Sequence, residues 1–291
     1  EVMDKMQSFS RIPLEGPFRG EPHHDHWILA LDKPYQLDGL KDSELTDVSV
    51  MVLSLEGFAG IAPAERSELI RDIKEWIPHV LCLMRLPRSG RMTREEWVLS
   101  ELKSWMEAGA YGAEVCRMGQ LHRMKELGIP VWIGTDMGAM NSVAGRIYST
   151  EAQGFCINWE LTSEEMSRIL EIPGASVTYY GKIPYMISEQ CIFRERYGCH
   201  PQPEGHVTLL KDREGENMTV VSHCPLCYEE IFSEKPIYPS RPDKLLSRGY
   251  TLRVMFTDET PEEVSSIWDK IRTGKRAPVP VMEGHFSKGV E

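Results

Sequence analysis

The apolar residues of this chain fall into short runs, and from Asp47 onward the runs alternate between two periods. Residues 48–55 are a continuous β-branched and apolar stretch; 63–77 set Leu69, Ile70, Ile73 and Trp76 at helical spacing; 79–86 return to an unbroken apolar run. A run that is apolar at every position suits a strand buried on both faces, and a three-to-four spacing suits a helix with one buried face. The alternation continues with a helix over 93–108 (Trp97, Leu102, Trp105), a strand over 111–115, a helix over 118–127 stopped by Gly128-Ile129-Pro130, and a strand over 131–134. A helix near 142–150, a strand over 155–159, a helix over 162–171 opened by Thr162-Ser163-Glu164-Glu165 and a strand over 176–180 complete the series. Repeated βα units predict a mostly parallel sheet, either a barrel or an open doubly wound sheet.

The flanks read differently. Residues 1–46 are rich in turn formers and carry Glu21-Pro22-His23-His24-Asp25-His26 before Trp27-Ile28-Leu29-Ala30-Leu31, which predicts an irregular entry ending in one strand. Residues 182–242 are dense in Cys, Pro and Gly with short β-like pieces at 206–210 and 218–222, an irregular region held by something other than a large core. The tail resumes with a strand over 250–256 and a helix over 261–272 opened by Thr260-Pro261-Glu262-Glu263. Three parts are expected: an N-terminal extension (1–46), a barrel-like βα domain (47–187), and a cysteine-rich, metal- or cluster-binding α+β region with an αβ tail (188–291).

Composition narrows the function. With 291 residues, 41% hydrophobic and 26% charged, the chain has material for a large core, so disorder and a small disulfide scaffold are excluded. Acidic residues outnumber basic ones 44 to 33, for a net charge of -11, which argues against generic nucleic-acid coating and against anionic membranes. No apolar run approaches the roughly 20 residues of a spanning helix, and residues 1–20 lack a signal peptide's apolar core, so a cytoplasmic chain is expected.

Of seven cysteines, Cys82, Cys116 and Cys156 sit singly in apolar stretches and read as small buried hydrophobes. The other four, Cys191, Cys199, Cys224 and Cys227, fall within 37 residues as C-x7-C-x24-C-x2-C. Two intervening residues let Cys224 and Cys227 point to one side of a tight turn, and four soft sulfur ligands suit zinc or an iron–sulfur cluster. A redox CxxC of thioredoxin type needs a strand before it and a helix opening at it within a βαβ unit; a strand does precede Cys224, but two extra cysteines stand nearby. Four-thiolate zinc sites more often use two CxxC knuckles, and only one is present, which tilts the reading to [4Fe–4S], with zinc as the alternative.

The surrounding segments carry further pattern. Tyr180-Gly181-Lys182-Ile183-Pro184-Tyr185-Met186 precedes Cys191, Leu209-Leu210-Lys211-Asp212-Arg213 leads into Cys224 and Cys227, and Gly284-His285-Phe286-Ser287-Lys288-Gly289-Val290 closes the series, with Asn141-Ser142 and Trp159-Glu160-Leu161-Thr162 upstream. In this order, over roughly residues 130 to 290, they resemble the U32 peptidase, or collagenase-like, family. The resemblance implies a partial or complete TIM-type barrel with an appended cysteine-rich region, and a [4Fe–4S] cluster on Cys191, Cys199, Cys224 and Cys227. It also implies oxygen-independent hydroxylation or modification of a small aromatic or nucleobase substrate, as in relatives acting on a ubiquinone precursor ring or on RNA bases. The family's other inheritance is a collagenase-like protease activity, for which the chain shows no HExxH, no GxSxG and no evident Ser/His/Asp order.

Two departures matter. The family's usual Gly-Arg is Gly181-Lys182 here, a point charge in place of a bidentate fork. Residues 1–130 lack the usual barrel opening, an apolar strand with a Pro-Ala-Gly turn, so a piece of a longer protein is one expectation. Another is a non-catalytic, metal-stapled subunit that docks a partner as a homo- or hetero-oligomer.

Further candidates each have a plainer reading. Glu160, Asp136 and Asn141 follow predicted strands, where barrel enzymes place catalytic groups, but Glu160 and Asn141 equally suit helix starts. His23, His24, Asp25 and His26 offer metal-ligating groups or a solvated loop. His200 and His223 adjoin cysteines and could tune a cluster or belong to polar loops. Arg213 faces an anionic substrate or caps a hairpin turn, and His285, flanked by Gly284, is a candidate catalytic residue.

Overall fold

The computed structural model describes residues 26–88, 94–202, 205–211, 213, 215–240 and 248–286. Strand β1 (Trp27–Leu31) is buried at all five positions because it is paired in parallel on both sides, with β2 (Val48–Ser54) and with β12 (Thr251–Phe256). From β2 the pairing steps through β3 (Leu81–Arg85), β4 (Gly112–Val115), β5 (Val131–Ile133), β6 (Gly154–Cys156) and β7 (Ala175–Tyr180) and returns to β12, closing an eight-stranded parallel barrel. Helices α1 (Pro63–Trp76), α2 (Glu95–Glu107), α3 (Met118–Glu126), α4 (Ser142–Glu151) and α5 (Ser163–Leu170) occupy successive connections, and α7 (Pro261–Ile271) follows β12. This is an α/β TIM-barrel fold.

Two sequence signals set these helices where they start. Thr162 accepts the Glu165 N–H while the Glu165 carboxylate accepts the Thr162 N–H, and Thr260 with Glu263 repeats the same reciprocal cap. The closing helix packs on a 3₁₀ turn, Pro34–Gly39, where a Cβ on Gly39 would stand 2.2 Å from the Pro261 carbonyl oxygen. Only glycine lets the first and last units of the barrel approach this closely.

The barrel is complete, so the expected boundaries at 46/47 and 187/188 do not bound it: β1 and β12, outside 47–187, are two of its eight strands. The missing Pro-Ala-Gly turn is replaced by a different exit from β1, in which the Gln36 amide oxygen accepts the N–H groups of Asp32 and Lys33 at 2.9 and 3.0 Å. The segment expected to be irregular is also ordered. It forms an antiparallel sheet, β8 (Pro184–Ser188), β9 (His206–Lys211), β10 (Asn217–His223) and β11 (Tyr228–Ser233), in the order β8-β11-β10-β9, with the short helix α6 (Ile192–Tyr197) between β8 and β9. Inserted between β7 and β12, this sheet lies across the C-terminal ends of the barrel strands.

No helix among the described residues is long and apolar enough to cross a membrane.

Candidate functional site

The C-terminal ends of the barrel strands are lined with charge. Asp32 follows β1, Glu56 follows β2, Arg85 ends β3 with Arg88 three residues on, Asp136 follows β5, and Asp258 with Glu259 follows β12. Side chains at these positions point into the space where the barrel fold builds its sites. The overlying sheet does not leave that space open. Because side chains alternate along a strand, Tyr228, Glu230 and Phe232 of β11 share one face, and that face meets the barrel. The Tyr228 hydroxyl donates to Glu56, Glu230 Oε1 lies 3.2 Å from Arg88 Nε, and the Arg88 guanidinium sits over the Phe232 ring at 5.8 Å. Arg88 also pairs with Asp136 at 2.8 Å, and Arg85 with Asp32.

His223, paired opposite Tyr228 in the ladder, belongs to the same network. Its ring stacks on Tyr228 (centroids 4.5 Å apart), its Nε2 lies 3.0 Å from Glu230 Oε2, and its Nδ1 lies 3.8 Å from Glu56 Oε1. Burial alone would raise the Glu230 carboxyl, but Arg88, then the hydrogen bond and charge of His223, outweigh it and hold Glu230 at about 2. Burial, followed by the charges of Glu56 and Glu230, pushes the Tyr228 phenol well above its ordinary value, so its proton stays on Oη.

The opposite imbalance occurs at Glu259. Burial pushes its carboxyl up, Asp258 adds to the effect, and Lys182 with the backbone N–H groups only partly offsets them, leaving a value of about 7. It accepts the Tyr180 hydroxyl at 3.1 Å and the Thr257 N–H at 2.6 Å. Lys182, the point charge of the Gly-Lys motif, is already committed: its Nζ lies 2.5 Å from Asp258 and 3.0 Å from Thr219, joining barrel to sheet.

On the far side of His223 and Tyr228 lies a cavity of about 180 Å³, and all four clustered cysteines line it. Cys224 and Cys227 occupy the ends of the four-residue loop joining β10 to β11, where His223 pairs with Tyr228. Cys227 has φ +54°, a left-handed conformation that glycine or asparagine adopts more cheaply. Cys191 is the N-cap of α6, its sulfur accepting the Arg194 N–H at 3.3 Å. Burial pushes its thiol up, opposed by that hydrogen bond and reinforced by Glu229 and Cys224. Cys199 follows α6 and is exposed at the cavity edge.

The chemistry of this donor set can be tested against its geometry. A mononuclear tetrahedral zinc, with Zn–S about 2.3 Å, needs its sulfurs within about 3.8 Å of one another. Among the described residues no three His, Cys, Asp or Glu side chains converge closely enough to grip one ion. Four thiols lining one cavity are a soft donor set of the kind that zinc or an iron–sulfur cluster uses.

The four candidate catalytic residues of the sequence reading do not join this cavity. Asn141 caps α4, its Oδ1 accepting the Ala144 N–H at 2.9 Å, and Glu160 is exposed after β6 with its N–H bonded to Asn158. Arg213 is exposed in the connection from β9 to β10, and His285 lies half-buried in a turn whose neighbour Phe286 accepts from Ser163. His200 and His223 do line the cavity. His26 is described, but His23, His24 and Asp25 lie outside the described residues. Asp32, Glu56, Arg85, Arg88, Glu229 and Glu230 had no place in the sequence reading. The signal existed: four of them sit at or just after the ends of apolar strands, the position already argued for Asp136 and Glu160.

No protein-family model matches the chain, and no curated protein matches it. Among solved structures, the chain is similar to the YdjI aldolase of Escherichia coli K12, at 13% identity and TM-score 0.37, over 54% of this chain and 66%, just under two thirds, of that one. It is similar to a glycerol uptake operon antiterminator-related protein of Thermotoga maritima at 14% identity and TM-score 0.32, over 53% and 81%. It is also similar to the carboxyl transferase domain of Rhizobium etli pyruvate carboxylase at 10% identity and TM-score 0.36, over 60% and 39%.

Proposed function

We propose that this chain is a cytoplasmic iron–sulfur enzyme of the U32 type, which modifies a small aromatic or nucleobase substrate without molecular oxygen. One observation carries the reading: Cys191, Cys199, Cys224 and Cys227 line a single cavity whose inner wall, His223 and Tyr228, is hydrogen-bonded to the charged mouth of the barrel. The four thiols would hold a [4Fe–4S] cluster, which when bound supplies one-electron transfer or a Lewis-acidic iron.

The chain's own residues do the rest. Phe193 and His206 stack at 3.8 Å and 5°, and with the His223–Tyr228 pair they give the cavity flat ring surfaces suited to a planar ring. Tyr228 keeps its proton on Oη, directed to Glu56, and Glu230 stays ionised against Arg88 and His223, so the wall holds a fixed pattern of charge. The sheet itself screens the barrel mouth from water.

Anaerobic purification followed by reconstitution with iron and sulfide should give a brown protein with about four irons per chain, and Cys224→Ser should lose them. A colourless wild type carrying one zinc, or a Cys224→Ser variant with unchanged iron content, overturns the reading.

A further inference from the structure

We infer that Glu229 is the positioning residue that brings Cys191 to the CxxC loop and so assembles the four-cysteine constellation. The inference rests on the cavity described above and extends it to the question of how sulfurs 33 positions apart in sequence, at Cys191 and Cys224, come together.

Glu229 stands in β11 one residue out of phase with Tyr228 and Glu230, so its side chain leaves the opposite face of the sheet. It is fully buried. A buried carboxyl without donors would be costly, and this one has three. Oε2 accepts the Ile192 N–H at 2.8 Å, Oε1 accepts the Phe193 N–H at 3.3 Å, and Oε1 accepts the Ser222 hydroxyl at 2.6 Å. Ile192 and Phe193 are the two residues immediately after Cys191, and Ser222 lies two residues before Cys224. One carboxyl therefore ties the segment carrying Cys191 to the strand that leads into Cys224.

Among the described residues the segment also has the Phe193 ring stacked on His206 and a Gln190–Glu195 side-chain bond within itself. No residue of α6 is buried, and the cap at its start is the Cys191 sulfur itself. A six-residue helix with no buried face is not stable by itself, so its place is set by what its first turn binds. Three hydrogen bonds converge on this one buried carboxyl, and their loss releases the segment.

The test has one arm without metal and one with it. In the apo protein carrying Cys199→Ser and Cys227→Ser, diamide is used to oxidise the Cys191 and Cys224 thiols to a disulfide. Two thiols lose two electrons and two protons, and diamide is reduced to the hydrazine. Glu229→Ala should slow this closure by on the order of tenfold, and Glu229→Gln, which keeps the volume and one acceptor oxygen, should recover part of the rate. In the reconstituted protein, Glu229→Ala should give the iron content and EPR signature of Cys191→Ser, and the double variant should lose nothing more.

Unchanged closure in Glu229→Ala, or a spectrum identical to wild type, overturns the inference. If wild type binds no iron while Glu229→Ala still slows closure, the positioning role stands and the iron–sulfur reading falls. Should Glu229→Ala fail to fold by circular dichroism, Ser222→Ala and Glu229→Gln carry the same comparison, and normal closure in both refutes it.

Discussion

Replacing Glu259 by glutamine isolates a single buried titration. Its carboxyl is held at about 7 in the folded protein, against an ordinary value near 4.5, because burial and Asp258 outweigh Lys182 and the backbone donors. A folded-state value raised above the unfolded one means that the stability linked to this group is fully present below about pH 4.5 and is lost as pH rises toward 7. The shift of about 2.5 units, at 1.36 kcal/mol each, amounts to about 3 kcal/mol between pH 4.5 and pH 8. Glutamine cannot ionise, and its amide oxygen can still accept the Thr257 and Asp258 N–H groups that now bond to Glu259. Urea unfolding of wild type and Glu259→Gln across this range cancels the titrating groups that do not interact with Glu259. The variant should gain on wild type by about 3 kcal/mol from pH 4.5 to 8. A difference that stays flat within about 1 kcal/mol, or that runs the other way, refutes the account of this site.

Other perturbations follow from the same network. Glu230, held at about 2, carries the opposite sign: its contribution is present above pH 4.5 and is lost as pH falls toward 2, so Glu230→Gln should flatten the acid limb of the urea-derived stability profile by about 3 kcal/mol. Tyr228→Phe removes the donor to buried Glu56 and should cost about 1–3 kcal/mol in urea unfolding at pH 7. Asn141→Ala removes the N-cap of α4 and should cost about 1 kcal/mol in the same assay while iron content is unchanged, since Asn141 is not part of the cavity wall.

The βα rhythm was readable because each buried strand and each helix face was apolar over several positions, as in Met51-Val52-Leu53 or Met166-Ile169-Leu170. The two terminal strands were harder to place. Trp27–Leu31 and Thr251–Phe256 are 220 positions apart at their closest, and nothing local in either announces that they pair. Barrel closure is a long-range event, and a pattern read along the chain records only its two halves. The inserted sheet was half read, since the β-like pieces at 206–210 and 218–222 are β9 and β10, and its other two strands were missed for a different reason. Its first strand, β8, is exposed over Tyr185-Met186-Ile187, while β11 is buried at all six positions despite the adjacent acids Glu229 and Glu230. Hydrophobic pattern misleads where charged groups are buried in mutual pairs.

Those buried charges join the cysteine-bearing sheet to the barrel mouth. A sheet laid over a barrel mouth could make an apolar seal, and Phe232 contributes to one. Instead, β11 sends Glu230 and Tyr228 inward to Arg88 and Glu56 and sends Glu229 outward to the turn carrying Cys191. An ion pair of this kind gains little net stability over an apolar contact, but it fixes register, because a one-residue slip would exchange the two faces of the strand. With that register set, His223 and Tyr228 brace the CxxC loop from both ends. The barrel thereby positions thiols carried on a short loop and on a helical turn with no buried residue.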